Sequence, residues 1–135
     1  MKLKFGLVIT LAFFSISALA DSSIPVACLR KPSTDVVVDC LTQRLEAEDN
    51  LLNRVYQELV SELKDNATER VTPLIQAERS WITYRDNQCK FDASVSTPSD
   101  LSGVAETLCK INETQTRRIR LEQMLKQSIT GESLP

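Results

Sequence analysis

From Asp39 onward, apolar side chains return every three or four residues, and that period sets what this chain can fold into. Leu41, Leu45, Leu52, Tyr56, Leu59 and Leu63 form one stripe, the mark of an amphipathic helix. Asp39 is placed to be its N-cap. The pattern breaks at Asp65-Asn66-Ala67-Thr68. It resumes after Thr72-Pro73, an N-cap followed by proline at the first helical position, or from Asn66 with Glu69 as a capping box, which makes Pro73 a kink. Leu74, Ala77, Trp81, Tyr84 and Gln88 line this second stripe, which is expected to end near Phe91. Residues 92–103 contain Pro98 and Gly103 and read as a loop. A third helix is expected over about 104–128, through Leu108, Ile111, Leu121 and Leu125, with residues 129–135 as a tail. Residues 21–38, with two prolines and Val36-Val37-Val38, read as irregular. Three helices with short connections pack as antiparallel neighbours. The expected fold is therefore an all-α antiparallel three-helix bundle over residues 39–128.

The first twenty residues have a different purpose. Lys2 and Lys4 precede a mostly apolar run from Phe5 to Ile16, and Ala18-Leu19-Ala20 supplies a small-x-small cleavage pattern. This is the arrangement of a secretory signal peptide. The run is short of the roughly 20 residues a bilayer span requires, so no membrane insertion is expected after cleavage. Lipidation is disfavoured, because Pro25-Val26-Ala27-Cys28 has proline where an aliphatic residue belongs and lies far from the apolar run. Cleavage after Ala20 leaves 115 of the 135 residues, enough for one domain. Removing Lys2 and Lys4 lowers the Lys and Arg count from 16 to 14 against 18 acidic residues, a net charge of −4. Nucleic acid demands a basic footprint and is not expected as a partner. A basic protein partner is compatible with this charge.

The chain has no histidine, which removes Ser-His-Asp and Cys-His catalysis and every zinc site that uses histidine. Cys28, Cys40, Cys89 and Cys109 contain no C-x-x-C pair, and exported cysteines are normally oxidised. Two disulfides are expected, with no metal and no cofactor. Laying the helices side by side puts all four cysteines at one pole. Facing residues of the first two helices then sum to about 130, and those of the second and third to about 195. Cys28–Cys40 with Cys89–Cys109 is favoured, because it closes two short local loops of about 12 and about 20 residues, each worth about 3 kcal/mol. Cys40–Cys89 with Cys28–Cys109 fits the same geometry and stays open.

The same matching sets Trp81 opposite Asp49 and Thr114, Glu78 beside Asn53 and Arg117, and Arg85 within a turn of Asp49. A polar belt of Asp49, Asn53, Glu78, Arg85, Thr114 and Arg117 thus crosses the bundle around the indole. It can be a cleft whose carboxylates bind a cation or transfer protons, or a set of interhelical ion pairs that fixes register. The second reading is favoured, since each acid has an arginine within reach and a paired carboxylate is a poor general acid. Trp81, Tyr84 and Arg85 then form the joint of the bundle, and Asp86 is left to solvent.

These residues also carry a resemblance. Asp49, Leu52, Asn53 and Tyr56 match D-x-x-L-N-x-x-Y; Leu74, Ala77, Trp81, Tyr84, Arg85, Asp86 and Cys89 match L-x-x-A-Q-x-x-W-x-x-Y-R-D-x-x-C; Cys109, Thr114, Arg117 and Leu121 match C-x-x-x-x-T-x-x-R-x-x-x-L. In these three motifs, over about residues 28–125, the chain resembles the LprI-like family of small exported bacterial proteins. Glu78 departs from the pattern, which has Gln there, and suits a salt bridge to Arg117. Some members of that family are described as lysozyme inhibitors. The resemblance therefore implies a periplasmic or secreted bacterial protein, not an enzyme, that binds a protein partner such as lysozyme itself. Lysozyme is basic and has two carboxylates in a sugar-binding cleft. An inhibitor needs a protruding element and an acidic rim; the 92–103 loop, with Asp92 and Asp100 held between Cys89 and Cys109, is the candidate. The other reading is a periplasmic structural or adaptor protein that binds an envelope or secretion-system partner.

Overall fold

The computed structural model describes residues 25–131, so the expected signal peptide and the last four residues lie outside the described residues. Of the described residues 89% are helical, with no strand among them. A single-turn helix α1 (Val26–Leu29) precedes three long ones, α2 (Thr34–Asn66), α3 (Val71–Ser96) and α4 (Ser102–Thr130); a 3-10 turn over Thr68–Arg70 leads into α3. The disulfide-stapled three-helix bundle is the observed fold.

The helix ends differ from those expected. Helix α2 begins at Thr34, after Ser33 in extended conformation, rather than at Asp39. Its first turns bury Val37 and Leu41 against α1 and Ile111; burial of this kind outweighs the weak helix preference of a β-branched run. Among the described residues, the irregular segment thus comprises only residues 25 and 30–33 around α1. Neither expected cap forms at the start of α3. Asn66 donates back to Glu62 and the Thr68 hydroxyl to the Lys64 carbonyl. Pro73 lies in the first turn of α3, where its missing N–H costs nothing. At the other end α3 continues through Ser96, so residues 92–96 are helical and the connection to α4 is only 97–101. Helix α4 stops at Gly131, whose φ of 69° places it in the left-handed region that closes a helix C-terminus.

The three long helices run up, down and up. Helices α2 and α4, which are therefore parallel, make the most extensive contact; α3 leans on α4 and barely touches α2. Cys28–Cys40 ties α1 to α2, and Cys89–Cys109 ties α3 to α4, with Cα–Cα distances of 5.5 Å in both. The crossed pairing does not occur. The apolar core falls into two clusters. One, at the disulfide pole, joins Cys28, Val37, Leu41 and Ile111. The other joins Leu52, Leu59, Leu63 and Leu121 with Trp81 and Tyr56 packed against it. Leu121 is fully buried between helices. Replacement by Ala is expected to cost about 2–5 kcal/mol, whereas Val95→Ala, 64% exposed, should stay within about 0.5 kcal/mol; urea unfolding of the two variants measures both.

Candidate functional site

Between the two apolar clusters lies a polar layer built around Arg85. On α2, Asp49, Asn53 and Tyr56 are spaced to share one side of the helix; on α3, Glu78, Trp81 and Arg85 do the same, and on α4, Thr114 and Arg117. The Nη1 of Arg85 donates to Asp49 Oδ1 at 2.7 Å and to Thr114 Oγ1 at 2.9 Å, and its Nε donates to Asp86 Oδ1 at 3.0 Å. One guanidinium thus joins all three long helices. Thr114 has no exposed surface. Further along the same helices, Arg117 donates from Nε at 2.9 Å and lies 2.8 Å away through Nη2, both to Glu78 Oε2. Both side chains of that pair are nearly buried. The Arg85 and Arg117 guanidinium carbons sit 5.3 and 5.6 Å from the Trp81 ring centre, within the range of cation–π attraction.

Other expected residues are placed elsewhere. Tyr84 is 57% exposed and takes no part in the joint. Asp86 is not simply solvated, since it shares Arg85. Asp92 is helical, half-buried, and accepts a hydrogen bond from Gln88 at 2.8 Å; only Asp100 remains on the exposed α3–α4 turn. Asn53 faces solvent, and Tyr56 is half-buried. Sequence reasoning missed Glu48, which is only 2% exposed. Gln115 donates to its Oε1 at 3.1 Å, Arg44 lies 3.1 Å from the same oxygen, and Arg118 reaches only to 3.7 Å of Oε2. The available signal was a gap: the stripe from Leu45 to Leu52 has Glu48 where an apolar residue belongs.

Because α3 barely touches α2, an open cleft of about 560 Å³ runs between them over the polar layer. Asp49, Asn53, Tyr56, Glu78, Trp81 and Arg85 all contribute to its lining. The two carboxylates that an acid–base mechanism needs are both held by arginine. No group of His, Cys, Asp and Glu among the described residues could hold a metal ion.

Residues 28–121 match the family described as lysozyme inhibitor LprI. The chain belongs to this family. It is also 30% identical to the uncharacterized protein YecT of Escherichia coli (strain K12) over 142 aligned positions, which cover 86% of this chain and 88% of that protein. No solved structure matches. The LprI description concerns inhibition rather than catalysis, and no described helix is long and apolar enough to cross a membrane. In this LprI-family chain, motif residues Asp49, Leu52, Asn53 and Tyr56 of α2 and Trp81 and Arg85 of α3 line the cleft, with Thr114 of α4 bonded to Arg85 beneath it.

The Glu78–Arg117 pair gives a direct test of the layer. Arg117→Ala strands a nearly buried carboxylate and is expected to cost about 3 kcal/mol. Adding Glu78→Gln removes the stranded charge and should recover part of that loss. Equal stability of the single and double variants in urea would mean that Glu78 is solvated without its partner.

Proposed function

We propose that this protein is an exported, non-catalytic inhibitor of a lysozyme-type glycan hydrolase, acting in the periplasm or outside the cell by obstructing the enzyme's substrate cleft. The family match over residues 28–121 carries this reading. The two disulfides support it, since such bonds persist in oxidising compartments. The acidic net charge suits a basic target by speeding encounter. The element offered to the enzyme is the short α3–α4 turn, residues 97–101 with Asp100, held rigid by Cys89–Cys109 at its base; Asp92, tied to Gln88, supports it from inside α3. Added to lysozyme in increasing molar ratio, the oxidised protein is expected to lower hydrolysis of cell-wall substrate. Reductant should weaken the effect, and Asp100→Lys should weaken it without changing stability. Undiminished hydrolysis at large molar excess sinks the proposal.

A second reading, a periplasmic adaptor, is favoured by one observation. Tyr84, Phe91 and Val95 are 57%, 59% and 64% exposed, and their spacing of seven and four sets them in one outward row on α3. Such a row suits the groove of a partner protein. A photo-crosslinker at position 91 that captures a single envelope protein, in a chain that leaves lysozyme untouched, favours this reading.

A further inference from the structure

The geometry points to the α2–α3 cleft as a binding site for a neutral oligosaccharide of two or three sugar units, an inference that does not rest on the inhibitor reading. Its volume of about 560 Å³ lies within the range of about 300–1,000 Å³ typical of small-molecule sites. The chemistry of the lining selects the ligand class.

Charge comes first. The cleft is lined by two acids, Asp49 and Glu78, and two bases, Arg79 and Arg85. Both acids are already engaged, Asp49 by Arg85 at 2.7 Å and Glu78 by Arg117 at 2.8 Å. At Glu78 a cationic ligand would have to displace a guanidinium from a nearly buried ion pair, and at the half-exposed Asp49 it would meet the Arg85 charge. An anionic ligand, although Arg79 is exposed, would meet both carboxylates. A neutral ligand meets neither obstacle.

Shape and hydrogen bonding come next. Both walls are helices, whose backbone N–H and C=O groups are spent within the helix, so an extended peptide finds no strand edge to pair with. An amphipathic peptide helix wants a continuous apolar trough, and this floor is crossed by the Asp49–Arg85 pair. What the walls do offer is aromatic and aliphatic surface from Tyr56, Trp81 and Ile82, beside the side-chain amides of Asn50 and Asn53. Both asparagines are exposed, and no side-chain hydrogen bond ties either to another described residue. An amide donates and accepts in one plane, as vicinal sugar hydroxyls do. A pyranose ring adds an apolar C–H face that can lie on an aromatic side chain. Among common neutral ligands, saccharides combine these two features.

Trp81 is the sole tryptophan, so its fluorescence reports on this cleft alone. The oxidised full chain is titrated with N,N′,N″-triacetylchitotriose, with cellotriose and, as a cationic probe, with spermidine. A saturable change in Trp81 emission is expected with at least one trisaccharide and none with spermidine. Response to both sugars identifies a general saccharide cleft, and response to chitotriose alone identifies one for N-acetylated glycans. Asn53→Ala, at an exposed position, should leave the thermal midpoint unchanged and weaken binding about fivefold, the effect of losing one neutral hydrogen bond. No saturable change with either sugar up to about 10 mM, well above the millimolar Kd of a weak site, overturns the inference. So does saturation by spermidine alone, or binding indifferent to both Asn50→Ala and Asn53→Ala. Lysozyme inhibition is measured on the same preparations. Sugar binding without inhibition retains the cleft and removes the inhibitor reading, and inhibition without sugar binding does the reverse.

Discussion

The Arg85 guanidinium is the constraint on which the arrangement of the helices depends. A buried guanidinium needs acceptors, because leaving its donors unpaired costs several kcal/mol. Here they come from Asp49 on α2, Thr114 on α4 and the neighbouring Asp86. Sliding α2 or α4 by a turn removes the Asp49 or the Thr114 acceptor and leaves a guanidinium donor unpaired, whereas leucine stripes alone tolerate such slips. The net gain in stability from such a layer is small, and its consequence is register. The two apolar clusters on either side supply burial, and the polar layer between them fixes which residues face each other.

That layer also explains the cleft. Helices α2 and α4 close on each other through Leu41, Ile111, Leu59 and Leu121. Helix α3 presents a mixed face instead, with Glu78, Trp81 and Arg85 in sequence along it. Its long side chains reach across to α4 and to Asp49 rather than letting the α3 backbone settle against α2. Arginine stems can span such a gap while their heads find partners. The Cys89–Cys109 bond holds one end of α3 to α4, and the 3-10 turn connects its other end to α2. The space between α2 and α3 stays open because what bridges it is charged and long.

Much of this was legible in the sequence. The three- and four-residue period gave three helices, and matching them end to end set Arg85 near Asp49 and Glu78 near Arg117 with no knowledge of contacts. The two local cysteine pairings were preferred on loop length, and they form. Helix ends were the weak point, for a physical reason. Val36-Val37-Val38 and Ser94-Val95-Ser96 have weak intrinsic preference for helix, yet both are carried into helices, Val37 by the cluster around Leu41 and the second run by Ala93, buried one turn beyond Cys89. Local signals cannot report contacts of that kind. Tyr84 was misplaced because an aromatic residue three positions from Trp81 shares its stripe only approximately, and the helix turns its ring outward. Glu48 was missed because a single charge within a leucine stripe reads as an interruption rather than as a buried ion.

Glu78 shows how one departure from a motif changes the chemistry of a surface. With Gln at this position, the amide could accept a hydrogen bond from Arg117 but could not balance its charge. The acids of the cleft would then be reduced to Asp49, already spent on Arg85, and Arg79 and Arg117 would make the region cationic. With Glu78, its Oε2 receives both the Nε and the Nη2 contact of Arg117, and the Arg117 charge is offset. The carboxylate thus neutralises the arginine beneath the cleft. A ligand that enters the cleft is then selected by shape and by neutral hydrogen bonds, with Arg85 and Arg117 already occupied and the indole held in place between core and solvent.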